Sequence, residues 1–221
     1  MSSICDICPL DDLMVDIPNT TCPENIKQIQ RYIFARKSAG IIWDLVDPAL
    51  NLPASIVGNV VEVNTGWNIL IAAADLTHIV RTPLIGGSSG ITPGATRTEG
   101  GGDNTTLNGK KLNNGKDPAD AVASFRSLTG DQIAAFEKLE CIAEAGDLEV
   151  YLINQSDKLI GRKNGNKFTG FSVEYFEFGG LTNTGLDNKD VNVMAFQLKA
   201  EWAQYKHFVT PTFSMLNPAI F

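Results

Sequence analysis

The chain has 221 residues, a formal net charge of −7, 43% hydrophobic residues and 19% charged ones. That length suffices for one large β domain or two small ones, and the composition is that of a globular chain poor in surface charge. The acidic balance argues against tight binding to nucleic acid, which needs cations to neutralise phosphates, while like charges would let DNA slide past without sticking.

Residues 1–25 read as an extended N-terminal arm. Pro9, Pro18 and Pro23 break any helix, and Asp6, Asp11, Asp12, Asp16 and Glu24 all precede Lys27, the first basic residue. A secretory signal starts with cations, so none is expected and synthesis in a cytoplasm is. Cys5 and Cys8 have the spacing of half a zinc knuckle, with Cys22 a conceivable third ligand. A closed tetrahedral site needs four ligands and no second half follows, so no metal or other cofactor is expected.

Residues 26–221 read as a single β-rich assembly domain. Ile29 to Phe34 predicts a strand, and Ile41 to Val46 is a short apolar run ended by Asp47-Pro48. Trp67, Leu70, Ile71 and Ala74 fall at helical spacing, predicting a helix from Trp67 to Val80 that Arg81-Thr82-Pro83 stops. That run is too short for a bilayer span and carries Asp75 and His78, so no membrane is expected as partner.

Residues 85–116 form a long glycine-rich loop holding nine of the chain's 20 glycines, among them Gly100, Gly101 and Gly102. A loop of this length in a compact domain is unusual and is normally functional or disordered. We read it as a partly hairpin-like arm that orders against a neighbour, the alternative being a floppy surface insertion.

Asp117-Pro118 predicts a turn into a short strand through Val122 and Phe125. Thr129 should cap a helix over about 131–145, with Ile133, Phe136, Leu139, Ile142 and Ala143 as its apolar stripe and Gly146 as its stop. Cys141 is taken as a small core residue of that helix. A meander follows: strands at Leu148 to Ile153 and Leu159 to Arg162, a hairpin turn at Asn164-Gly165, and one long strand from Phe168 to Phe178. Val191 to Leu198 carries apolar residues on both alternating faces, which predicts a strand buried on both sides. The apolar, proline-bounded stretch from Pro211 to Phe221, with Leu216, Ile220 and Phe221, is expected to dock on its own core or on a second copy.

Chemistry is sparse. His78 and His207 have no matched carboxylate nearby and read as structural residues, and no Gly-x-Ser-x-Gly or His-Glu-x-x-His motif is present. The triple glycine lacks Gly-Lys-Ser/Thr and opens no helix, so it is no phosphate cradle. Asp187 to Asp190 lacks the glycine and distal Glu of a calcium loop. The chain is therefore expected not to be an enzyme. Lys158, Arg162, Lys163 and Lys167 make the Asn164-Gly165 hairpin basic, opposite in sign to the arm, as suits a head-to-tail contact between copies.

Several stretches carry a resemblance. The helix from Thr129, then Val150 to Asn154, Leu159-Ile160-Gly161, Phe168 to Phe178 with Gly179-Gly180, and Glu201-Trp202-Ala203 … Thr210-Pro211-Thr212-Phe213 resemble virion proteins of phages and prophages from Bacteroidetes. Cys22-Pro23-Glu24-Asn25 … Gln28-Ile29-Gln30-Arg31 and Thr98 to Asn104 are similar to that group too. The resemblance implies a structural tail component of the virion, first of all the major tail tube protein. It implies a β-sandwich or small β-barrel flanked by a helix, closing into hexameric rings that stack through loops and arms. Implied partners are the chain itself, other tail or neck proteins, and passing DNA without specific binding. The central loop (Gly100, Gly101, Gly102), the hairpin tip (Lys163, Asn164, Gly165) and the tail (Leu216, Ile220, Phe221) would make the contacts. The alternatives are a head–tail connector or tail-terminator ring protein, or a receptor- or glycan-binding β module. Against the last, Trp43, Trp67 and Trp202 are dispersed in apolar segments rather than gathered at a pocket.

Overall fold

The computed structural model describes residues 25–40, 42–44, 50–51, 79–102, 109–165, 167–183, 190–210 and 216. The N-terminal arm with Cys5, Cys8 and Cys22, most of the helix expected from Trp67, and Ile220 and Phe221 lie outside the described residues.

The protein is mainly β, with one flanking helix among the described residues. Its strands are β1 (Ile29–Arg36), β2 (Ile42–Asp44), β3 (Leu50–Asn51), β4 (Ile79–Arg81), β5 (Ser89–Thr92), β6 (Thr96–Glu99) and β7 (Leu112–Lys116). After them come β8 (Ala119–Arg126), helix α1 (Gly130–Glu144), β9 (Leu148–Asn154), β10 (Leu159–Asn164), β11 (Lys167–Thr169), β12 (Phe171–Phe178), β13 (Val191–Leu198) and β14 (Lys206–Val209). Among the described residues twelve strands join in one open, antiparallel network, and β6 and β7 pair only with each other.

The main sheet runs β4-β1-β9-β12-β13-β8-β5. It curls over a core in which strands distant in that order meet. Tyr32 and Phe34 of β1 reach Phe196 of β13 edge-on, at 5.2 and 5.8 Å between ring centres, and Phe34 meets Phe176 of β12 at 5.4 Å. Each such ring contributes about 2–3 kcal/mol by burial, with about 1 kcal/mol more per edge-to-face pair. The segment after β4 crosses between the sheet's ends: Thr82 and Ile85 donate backbone N–H groups to Tyr32 and Gln30 of β1, and Ser88 accepts from Ser124 of β8.

Helix α1 covers one side of this core. Thr129 and Gln132 form the expected capping box, and at the far end Gly146 takes φ +69° while Gly146 and Asp147 donate to Ala143 and Ile142. Phe136 stacks on Phe178 at 4.6 Å and meets Phe125 at 5.1 Å. Cys141 is exposed, contrary to the sequence reading. The buried stripe runs through Phe136, Leu139 and Ala143, and Cys141 falls outside it.

The sequence reading is corrected at three other elements. Ile79 and Val80, expected to end a helix, belong to β4, because the free edge of β1 takes their backbone groups. The long strand expected from Phe168 to Phe178 breaks at Gly170 into β11 and β12, which have different partners. β13 is buried on one face only: Asn192, Met194, Phe196 and Leu198 point inward, whereas Val193 is 38% exposed. The doubly buried strands are β1 and β9, whose outward Ile33, Tyr151 and Ile153 are as covered as their inward neighbours.

β9 shares one edge between two strands. Its Leu152 and Ile153 pair with Ile160 and Leu159 of β10, while Glu149 and Val150 pair with Ser172 and Phe171 of β12. β10 and β11 therefore leave the main sheet as a hairpin, with β14 and β2 on its two edges. Glycines make the branch possible. A Cβ on Gly161 would lie 2.6 Å from the Thr169 carbonyl oxygen and 2.7 Å from the buried Phe168 ring, and one on Gly170 would lie 2.8 Å from the Glu149 Cβ.

Two predictions follow from this packing. Gly161→Ala is expected to lose about 2 kcal/mol or more in chemical denaturation, because backbone and a buried ring must both move. Among the described residues the buried Tyr32 hydroxyl has no hydrogen-bond partner, so Tyr32→Phe is expected to raise stability by about 1 kcal/mol in the same assay.

Candidate functional site

The registers place several elements at one end of the molecule. β8 begins there, at Ala119 opposite Leu198, where β13 ends. The β6–β7 hairpin precedes β8, and the turn of residues 199–205 follows β13. At the C-terminus of α1, Ser38 donates both its backbone N–H and its hydroxyl to the Asp147 carboxylate, at 2.7 and 2.6 Å.

The hairpin β6–β7 occupies much of the glycine-rich 85–116 segment, so this segment is partly regular structure. Gly100, Gly101 and Gly102 follow β6 with φ of +79°, +107° and +120°, values that favour glycine. At its base, a Cβ on Gly94 would lie 2.1 Å from the Asp117 carbonyl oxygen, and Arg97 pairs with the Asp117 carboxylate. Beyond that anchor every residue of β6 is exposed, and so is every residue of β7 except Gly115. A groove of about 590 Å3 separates Asn113, Gly115 and Lys116 from residues 200–204.

Two further surfaces are open. The outward face of β12, β13 and β8 shows Tyr175, Val193 and Val122, 50%, 38% and 42% exposed, with Ala195 set between Glu177 and Val122 in the register. A hydrogen bond from Gln197 to Asp120 at 2.9 Å crosses the same face. Among the described residues β5 pairs in the sheet only with β8, and its Ser89 hydroxyl donates to the Ile29 carbonyl of β1, leaving residues 90–92 as an edge without a charged residue.

The sequence-selected residues fall apart into separate features. Lys163, Asn164 and Gly165 are exposed at the tip of β10–β11, in a different sheet from Gly100, Gly101 and Gly102. The turn is offset by one residue from the expected Asn-Gly pair, because Asn164 still pairs with Lys167 and Gly165, at φ +60°, opens the turn. Leu216 donates its backbone N–H to the Asp157 carboxylate at 3.2 Å, so at that residue the tail docks on its own chain's β9–β10 turn. His207 lies on β14 with its ring edge toward Phe168.

One feature was missed in the sequence. Trp202 and Tyr205 lie in a single 3-10 turn, where side chains three apart share a side. Trp202 meets Phe171 edge-on at 5.5 Å, and the Arg162 guanidinium sits 5.1 Å from the centre of the Tyr205 ring. The signal available was the Trp-x-x-Tyr spacing, which an eye for dispersed tryptophans passes over.

Glu149 lies behind this branch, beside Gly170. Burial pushes its carboxyl up to about 7; Lys37, the Gly170 N–H and Arg162 pull it back only in part. Among the described residues no three His, Cys, Asp or Glu side chains gather as metal ligands, and no helix there is long and apolar enough to cross a membrane. Comparisons with protein-family profiles, curated protein sequences and solved structures gave no match.

A carboxyl whose folded-state value lies above its ordinary 4.5 binds more protons folded than unfolded, so stability falls as pH rises from about 4.5 to about 7. The expected loss from Glu149 is on the order of 2 kcal/mol, complete above that window. Glu149→Gln should flatten this slope in denaturation midpoints measured from pH 5 to 8, leaving the variant the more stable protein at pH 8.

Proposed function

We propose that this chain is a non-enzymatic structural subunit that assembles with copies of itself, and that the assembly is the tail tube of a phage virion, stacked rings through which DNA passes. The observation that carries the assembly reading is the β6–β7 hairpin. A two-stranded ribbon bare on both faces is marginally stable in water, and this one stands over an open groove at one end of the molecule. The outward face of β12, β13 and β8, with Tyr175, Val193 and Val122 exposed, and the uncharged edge of β5 give a second copy further places to pack or pair. The assignment to a tail tube rests on the resemblance to Bacteroidetes phage virion proteins, with the net charge of −7 suited to a lumen that DNA must not grip.

Negative-stain microscopy and light scattering at rising protein concentration test this reading. Rings or tubes are expected from the intact chain. A chain in which residues 96–116 are replaced by a short Gly-Ser linker should keep its thermal transition but stay monomeric. An intact chain that remains monomeric at every concentration refutes the assembly reading, and closed rings that never stack would favour a connector or terminator over a tube.

A further inference from the structure

The branch between β10 and β12 leaves a cleft of about 160 Å3, closed on its far side by the 199–205 turn. Its walls are aromatic: Trp202 stands edge-on to Phe171, and Tyr205 lies under the Arg162 guanidinium. Trp202 is partly exposed and Tyr205 39% exposed, so both rings present surface to a ligand as well as to the core.

The polar groups are of both kinds. The Arg162 Nε is buried and makes no hydrogen bond among the described residues. An N–H so placed is costly unless something accepts from it. Lys199 adds a second cation to the lining, and Glu201 adds a carboxylate. Glu149, which interacts electrostatically with Arg162, is held close to half-protonated at neutral pH by burial, so it neutralises that cation only in part.

We propose that this cleft binds one hexuronic acid unit of an acidic polysaccharide, with its carboxylate on Arg162 and its ring against Trp202 and Tyr205. Three features select this ligand. The planar guanidinium matches a carboxylate in geometry as well as charge. Aromatic faces suit the C–H surface of a pyranose, and the volume admits a single ring. Glu201 would repel a bare anion yet can accept hydrogen bonds from ring hydroxyls, so the lining fits a hydroxylated acid better than an acidic protein side chain. The proposal does not depend on the assembly reading, because the cleft is formed within one chain.

The test is a titration of the full chain, followed by tryptophan fluorescence and calorimetry. The probes are methyl β-D-glucuronide, methyl β-D-glucoside, sodium acetate and N-acetylglutamate. The glucuronide is expected to bind about tenfold or more tightly than each of the others. Arg162→Gln should erase its advantage over the glucoside. Tyr205→Ala, at a ring 39% exposed, should weaken both sugars while leaving the thermal transition in place. Equal binding of N-acetylglutamate would reassign the cleft to an acidic protein partner and overturn the proposal. So would equal binding of the neutral glucoside, or no binding of the glucuronide up to about 10 mM.

Discussion

The architecture turns on a steric constraint at one edge of β9. A strand edge offers one row of donors and acceptors, and here two strands claim it in succession: β10 at Leu152 and Ile153, β12 at Glu149 and Val150. Two strands cannot occupy one row without a crossing, and the crossing requires backbone to approach backbone more closely than a Cβ allows. Gly161 and Gly170 meet that requirement on the departing and arriving strands. Once β10 and β11 have left the plane, β12 is free to carry the sheet onward to β13, β8 and β5, and the sheet can curl until Tyr32 and Phe34 meet Phe196. The departing hairpin brings Phe168 against Tyr151 on the outer face of β9, at 5.8 Å between ring centres. That is why β9 is apolar at almost every position. Glu149 and the terminal Asn154 are the exceptions; Glu149 is carried into low dielectric by its place beside Gly170, and its raised pKa is the electrostatic cost of the branch.

A second balance is struck at the end of the molecule where β8 begins. The chain could have returned from β5 to β8 by a short turn, but instead it projects β6 and β7. The base is rigid, with Gly94 tight against Asp117 and Arg97 paired to the same residue. The outer part buries almost nothing of its own. Its ladder hydrogen bonds compete with water on both faces, so its order depends on whatever lies against it. A rigid base under a poorly buried ribbon is the arrangement expected of an arm completed by a second molecule.

Much of the fold was legible in the sequence because local signals and tertiary structure agree there. The Thr129–Gln132 box, the Phe136–Leu139–Ala143 stripe and Gly146 defined α1, and the apolar runs marked β1, β9, β10 and β12. Legibility failed where one residue pattern serves two structural purposes. Val191 to Leu198 reads as doubly buried, yet Val193 and Ala195 belong to an outward face that one chain leaves open. Ile79 and Val80 continue a helical spacing, yet the unfilled edge of β1 captures them. Phe168 to Phe178 is one unbroken strand by propensity, and only the encounter of Gly170 with Glu149, 21 positions earlier in the chain, divides it. The candidate site was hidden for a related reason. Phe171, Arg162 and Trp202 come from three separate elements, and no spacing along the chain announces that a branch will gather them.

The cleft and the arm share an origin in this topology. The wedge between β10 and β12 exists because the two strands diverge, and the residue flooring it, Phe171, is the first of β12 to return to β9. The turn that closes the wedge, residues 199–205, also forms the far wall of the groove beneath β7, with Glu201 lining both spaces. An occupant of either space therefore bears on the same short 3-10 turn. That turn is held by the pairing of β14 with β10 and by the Trp202–Phe171 contact, through which Trp202 packs against the core. Packing of a second copy into the groove and seating of a sugar acid in the cleft would thus be coupled through a single short turn. The sign of that coupling depends on whether the two occupants favour the same position of Glu201.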